Sequence, residues 1–266
     1  MAGSDAQSSI TSGISAAKPR ASKKKAAASR QSKKRLPNER LYDSVFAELA
    51  RVAEMSVMER RLRDFGFRCI AGTDEVGRGC LAGPVVAACV VLDREPTLVG
   101  VNDSKLVDPD DRVSVCRLIL RRARAVSVGV VEAATIDRIN ILRASKLAML
   151  HAVEDLTLRP DVLLVDAVTL ETLEMPQIPL IEGDKRSVSI AAASIVAKVY
   201  RDLLMESYHD RYPVYDFKHN RGYATEGHQA ALKIYGPSPI HRTSFEGVEE
   251  PRLLFGTCEE DGGTTR

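Results

Sequence analysis

The chain has 266 residues, 44% of them hydrophobic, enough to bury one full core with room for a helical extension or a tail. Its net charge of +2 is lopsided: residues 1–36 hold nine Lys/Arg against one acid, Asp5, while the rest holds 29 Lys/Arg against 35 Asp/Glu. No bulk field therefore points to nucleic acid, and local constellations must carry any such reading. Five cysteines without a Cys-x-x-Cys pair argue for reduced thiols in a cytoplasmic protein and against zinc. The longest apolar run, near Leu81–Leu92, is too short for the roughly 20 residues of a membrane span.

Residues 1–36 are rich in Ala, Ser and Lys with almost no large apolar side chains, which predicts a disordered basic tail. An electrostatic arm for phosphate backbones and a solubilising tail read this stretch equally well, and a transit peptide is a third reading. From Leu41 to Phe65, apolar residues recur at three- and four-residue intervals, predicting an amphipathic helix within an N-terminal helical lead-in over 37–67. Arg68–Asp74 reads as a short strand ending on an acid, and Pro84–Leu92 as a second strand after a Gly-rich turn, together a hairpin. A helix over Asp108–Arg124 precedes a third strand, Ala125–Val131, and a helix over Asn140–Leu158. Val162–Asp166 is an apolar strand of the buried central kind that stops on another acid, and Gln177–Ile181 is a fifth strand. Ser187–Tyr208 is the longest helix, ended by Pro213, and Thr225–Tyr235 is one more. The pattern predicts an α/β core over 68–212, a C-terminal helical region over 213–250 and a disordered tail over 251–266.

Four acids and one loop carry the chemistry. Asp74 and Glu75 are neighbours, and strand alternation sends neighbours to opposite faces, so both reach one site only where the strand ends or bulges. A solvated acidic turn reads the same pair. Gly77-Arg78-Gly79 follows, where glycines let backbone amides approach a ligand and Arg78 supplies a fixed cation. That suits a phosphate or a sugar hydroxyl, although a plain hairpin turn also favours glycine. Asp166 closes an apolar strand, where an unpaired carboxylate is expensive, so it calls for a cation or hydrogen-bond partners unless it merely caps a turn. Asp184, in Glu182-Gly-Asp-Lys185, reads locally as a turn residue, and Glu182 is its rival.

Gly72-Thr-Asp-Glu-Val-Gly-Arg-Gly-Cys-Leu-Ala-Gly-Pro-Val-Val-Ala-Ala resembles the signature of the type 2 ribonucleases H, the ribonuclease HII family. Asn102–Lys105, Ile136–Leu142, Leu164–Asp166, Gly183-Asp184, Ile190–Asp202, Arg221–Thr225 and His241–Phe245 follow in the family's order. The resemblance runs from about Leu41 to about Val248.

It implies a ribonuclease H-like fold: a central mixed five-stranded sheet flanked by helices, with a small helical C-terminal extension. It also implies an endoribonuclease that hydrolyses the RNA strand of RNA/DNA hybrids and nicks 5′ to ribonucleotides embedded in duplex DNA. The family's metal-binding carboxylates fall on Asp74, Glu75, Asp166 and Asp184. An all-oxygen set suits Mn²⁺ or Mg²⁺, and two such ions activate water and stabilise the leaving 3′ oxygen, leaving 5′-phosphate and 3′-hydroxyl ends. No covalent nucleophile is then required, so neither Ser194 nor any cysteine is assigned a role. The family's ribose-reading residues fall on Gly77, Arg78, Gly79 and Tyr223, and its phosphate contacts on Ser104 and Lys105, with Lys198, Lys218, His219 and Arg221 as weaker additions. Asp202, four residues after Lys198, is expected to pair with it along a helix and is left out of the metal set.

The sequence departs from the commonest family pattern at Leu106, Ala167 and Arg221, none of them a ligand position. A monomer is the default expectation. Arg252-Leu-Leu-Phe-Gly256 resembles a short peptide that binds a replication clamp, although a tail packed on the body reads it better. Two other readings compete. The related ribonuclease HIII carries a folded N-terminal binding domain, for which residues 1–36 are too polar; a non-catalytic nucleic-acid clamp would not need all four acids.

Overall fold

A computed structural model of the protein describes residues 37–94, 98–102, 104 and 107–248. The two predicted tails therefore lie outside the described residues, and so do Lys105, Leu106 and the Arg252–Gly256 peptide. Two helices, α1 (Pro37–Met55) and α2 (Val57–Asp64), lead into β1 (Ile70–Val76) and β2 (Val85–Leu92). Next come α3 (Pro109–Arg122), β3 (Ala123–Val131), α4 (Ala133–Ile139) and α5 (Ile141–Glu154). The core closes with β4 (Val162–Asp166), β5 (Gln177–Leu180), the short α6 (Gly183–Arg186) and α7 (Val188–Arg211). A 3₁₀ turn (Pro213–Tyr215), α8 (Phe217–Asn220) and α9 (Glu226–Tyr235) follow. Among the described residues no helix is long and apolar enough to cross a membrane.

The sheet order is β3-β2-β1-β4-β5, antiparallel from β3 to β1 and parallel from β1 to β5. This is the mixed five-stranded sheet with flanking helices that the resemblance implies. Strand β2 is buried along its whole length, so its alternate residues feed two cores. Val86, Ala88 and Val90 face α3 and α7, while Val85, Ala87, Cys89 and Val91 face the side of α5. Small residues let the layers close: a Cβ on Gly72 would stand 2.3 Å from the Ser189 backbone, so α7 lies directly on β1.

Sequence and structure differ at two helix boundaries. The expected single helix over 41–65 breaks at Ser56, whose hydroxyl donates to the Val52 carbonyl (2.8 Å), a local bond that competes with the helical ladder. The stretch before Asn140 is also helical. Asn140 separates α4 from α5 at φ 67°, and its side chain accepts from Arg143 N at 3.1 Å, so it starts α5 as a cap.

Glu59 of α2 ties the lead-in to the core. It is 1% exposed, and its Oε1 accepts from Ser187 Oγ (2.6 Å) and Ser189 N (3.0 Å) at the start of α7. A carboxylate there satisfies otherwise unpaired amides and meets the positive end of a 24-residue helix. Glu59→Ala is expected to lower stability by about 2–3 kcal/mol, and Glu59→Gln, which keeps an acceptor, by about 1 kcal/mol. Urea unfolding checks both, and equal losses would show that the acceptor kept by glutamine contributes nothing.

Candidate active site

The parallel register of β1 and β4 pairs Thr73 with Val165, so the next residues, Asp74 and Asp166, leave the two strands side by side. Glu75 follows where β1 has lost its β4 neighbour but still pairs with β2, opposite Ala87. The strand therefore does not end on Asp74 as the sequence suggests: it runs on in register with β2 through Val76, and only its β4 neighbour is lost, from Asp74 onward. Asp74 is 6% exposed. Burial, then the charges of Glu75 and Asp166, raise its carboxyl well above the usual range, against bonds from Ser194 and the Glu75 amide. Burial likewise raises Glu75, more than Arg78 lowers it. Arg78 Nη1 stands 3.0 Å from Glu75 Oε1, whereas Glu75 Oε2 is buried with no hydrogen-bond partner.

Asp166 Oδ1 accepts from Gly183 N at 2.7 Å, which brings the half-buried Asp184, at the next position of α6, to the same edge of the sheet. A Cβ on Gly183 would lie 3.2 Å from that Asp166 oxygen. Glu182 is exposed and pairs with Lys185 (2.6 Å). Among the described residues no three His, Cys, Asp or Glu groups form a ready-made metal cluster. Asp74, Glu75 and Asp166 influence one another electrostatically without converging on one point, as expected of like charges. The donor set nonetheless fits a hard cation, because it is all oxygen, poorly hydrated and leaves a buried carboxylate oxygen unused.

Tyr223, 42% exposed, lies beside the loop near Cys80, and burial raises its hydroxyl pKa. Its segment is docked there: Leu81 N donates to Gly222 O at 2.8 Å. The two glycines of Gly77-Arg78-Gly79 differ in cause. Gly77 has φ +93°, and a Cβ would stand 2.3 Å from Arg201 Nε, so the fold itself requires glycine. Gly79 has no such constraint, since nothing lies within 4 Å of where its Cβ would be.

Ser104 is buried rather than displayed to solvent, and its hydroxyl meets Ser194 Oγ at 3.0 Å. Ser194 in turn lies beside Asp74 and favours its charged form, so two hydroxyls lead from Ser104 toward the first acid. Sequence reasoning gave Ser194 no role, and its place follows only from the packing of Gly72 on Ser189. From Gly72 to Asp74 the strand advances about 6.6 Å, which four to five residues of helix match, leading from Ser189 to Ser194. The weaker phosphate candidates are all engaged: Lys198 with Asp202 (2.6 Å), Lys218 with Glu206 (3.7 Å), His219 with Asp216 (2.6 Å) and Arg221 with the Asp202 carbonyl (2.9 Å). Ala167 keeps a left-handed φ of 53°, so the alanine adopts the torsion that a glycine would take there.

The model of the ribonuclease HII family matches residues 71–248. Ribonuclease HII of Lactobacillus gasseri is 57% identical over 181 residues, 68% of this chain and 72% of that protein. The Bacillus subtilis ribonuclease HII is 50% identical over 198 residues, covering 74% and 77%. Among solved structures, ribonuclease H2 of Pyrococcus horikoshii aligns with a TM-score of 0.58 and 26% identity, over 68% of this chain and 95% of that one. The ribonuclease HII of Archaeoglobus fulgidus, solved in complex with PCNA, gives 0.58 and 26% over 69% and 98%.

Two outcomes follow. Gly79→Ala should leave the melting temperature within about 2 °C, as expected for a surface change, while lowering the efficiency of any ligand-dependent activity at least about tenfold. Full activity would leave the glycine without a ligand-facing reason. Asp74→Asn should raise metal-free stability at neutral pH. The raised Asp74 pKa means that the folded state holds its proton longer than the unfolded one, so stability falls as pH rises from the unfolded value through the folded one. The gain should therefore vanish below the ordinary carboxylate range, which thermal melts at several pH values in a chelator would read.

Proposed function

This chain belongs to the ribonuclease HII family, and on that premise we propose that Asp74, Glu75, Asp166 and Asp184 hold two divalent ions, Mn²⁺ or Mg²⁺, at the scissile phosphate. Members of the family are ribonucleases H, divalent-metal-dependent endoribonucleases acting on RNA/DNA hybrids. The observation that carries the assignment is the buried, unpartnered Glu75 Oε2 beside the desolvated Asp74. Hard cations bound there supply water activation and stabilisation of the leaving 3′ oxygen.

The chain's own groups bind and orient. The Glu75 amide holds Asp74, with Ser194 beside it, the Gly183 amide holds Asp166, and Arg78 holds Glu75 while its half-exposed guanidinium faces the phosphate path. Gly77, Arg78 and Gly79 receive the ribose, whose 2′-hydroxyl separates RNA from DNA, and the Tyr223 ring packs on the sugar. Ser104 and Lys105 serve the phosphates, Ser104 through its link to Ser194. Solvent exposure and the pairing with Lys185 favour Asp184 over Glu182 as fourth ligand.

On this reading the enzyme cuts the RNA strand of hybrids and nicks 5′ to a ribonucleotide embedded in duplex DNA, leaving 5′-phosphate and 3′-hydroxyl ends. It acts in the cytoplasm as a monomer, with its catalytic core over 68–212 and with 213–250 completing the substrate site. The Archaeoglobus fulgidus relative's complex with PCNA supports a contact with a replication clamp.

A labelled duplex carrying one ribonucleotide, incubated with Mn²⁺ or Mg²⁺ beside its all-deoxy counterpart, tests the proposal. Nicking should require both the metal and the ribonucleotide. Asp184→Asn should reduce it more than about a hundredfold, beyond the losses seen when only supporting groups of a metal site are removed. Glu182→Gln should change it less than about twofold. Folded parent protein that fails to nick sinks the enzymatic reading, and a reversal between the two variants moves the ligand to Glu182.

A further inference from the structure

Two arginines lie beneath the Gly77–Pro84 loop, and both are 0% exposed. Arg201 donates from Nε to Pro84 O (3.0 Å), from Nη2 to Ala82 O (3.1 Å) and from Nη1 to Arg221 O (2.9 Å). Arg242 donates from Nε to Gly83 O (3.0 Å), from Nη1 to Arg78 O (2.9 Å) and from Nη2 to both Gly77 O (2.7 Å) and Gly83 O (2.8 Å). Among the described residues neither guanidinium forms an ion pair with a carboxylate. Their partners are backbone oxygens of the loop, with one from the Tyr223 segment.

Which carbonyls Arg242 holds matters. In a trans peptide the C=O and the following N–H point in opposite directions. Drawing the Gly77 carbonyl inward turns the Arg78 N–H outward, and drawing the Arg78 carbonyl inward turns the Gly79 N–H outward. Arg78 and Gly79 are exposed, and among the described residues neither amide has an acceptor within the chain. The result is a pair of outward donors beside Glu75, at the position where Gly79 leaves open space.

We propose that Arg242 is a positioning residue for ribose recognition, fixing the peptide planes of Gly77 and Arg78 so that the Arg78 and Gly79 N–H groups face the 2′ oxygen of the substrate. The inference rests on the functional reading above. It requires an arginine, because only a planar fork presents donors to three separated carbonyls at once; a lysine ammonium sits at one point. Arg242 is itself held from several sides. The Phe245 ring lies 5.0 Å from its guanidinium carbon, its own amide donates to Leu81 O (2.9 Å), and the next residues, Thr243 and Ser244, give four hydrogen bonds to Asp137. Burial pushes the Arg242 pKa down to about 10, which leaves it charged at neutral pH.

The test is an amide NMR titration of the full chain with the one-ribonucleotide duplex and with its all-deoxy counterpart, with Ca²⁺ in place of the catalytic ion, alongside steady-state cleavage in Mn²⁺. In the parent protein the Arg78 and Gly79 amide protons should move downfield with the ribonucleotide duplex only. Arg242→Lys should abolish that response and raise KM about tenfold or more, within the range for lost supporting contacts, with a smaller change in kcat. Parent amides that do not respond, or that respond equally in Arg242→Lys, overturn the inference. If Arg242→Lys does not fold, Phe245→Leu, which frees the guanidinium from its ring, decides in the same way: a weakened response supports the inference and an unchanged one overturns it. Parent protein that never cleaves at the ribonucleotide overturns the functional reading and this inference with it, whereas an active parent with silent amides overturns this inference alone.

Discussion

Thr73 of β1 lies level with Val165 of β4 in a parallel ladder, and from that pairing the rest of the site follows. Parallel strands release their next residues at the same end of the sheet, about 5 Å apart, so Asp74 and Asp166 emerge together. An antiparallel pairing would have left one acid at each end. The same end of β4 turns toward Gly183, whose amide caps Asp166, and the same end of β1 runs on into the Gly77–Pro84 loop. The acids proposed to hold metal and the loop proposed to read the ribose are thereby delivered to one edge by a single choice of strand direction.

That edge is built against stability. Asp74 and Glu75 are held where water is scarce and like charges are close, and one buried oxygen lacks any partner. The surroundings offset only part of this: the Glu75 amide donates to Asp74, Gly183 to Asp166, and Arg78 to Glu75. A fold seeking stability alone would place apolar side chains there. Conflict between local comfort and the observed residues is what a functional site is expected to show.

The sheet was legible because burial imposes period two on its strands and because β4 reads as an unbroken apolar run. Helix boundaries were less so. The break at Ser56 depends on one hydroxyl choosing a backbone carbonyl, and α4 is too short for its periodicity to show. Asp74, Glu75 and Asp166 carried local signals, whereas Asp184 stood out only through the family resemblance. Ser104, anticipated as a phosphate contact, is buried against Ser194, a partner 90 residues away that no local pattern announces. Arg201 and Arg242 were the least legible. Arginine is ordinarily a surface residue, and their acceptors are backbone atoms far along the chain, which side-chain patterns cannot encode.

Why the loop needs arginines follows from its path. Residues 77–84 leave the sheet, so their carbonyls lose ladder partners, yet Gly77, Ala82 and Gly83 are buried, and buried carbonyls require donors. A guanidinium answers several at once and brings a positive charge that no described carboxylate meets in an ion pair. Beside it stands a group of acids that repels a polyanionic substrate until cations arrive. Positive charge beneath the loop lowers that barrier on the side where the proposed ribose site would bring the sugar-phosphate backbone. Donors that answered the carbonyls without charge, such as a further β-strand, would leave the loop equally ordered but the approach of the nucleic acid less favourable.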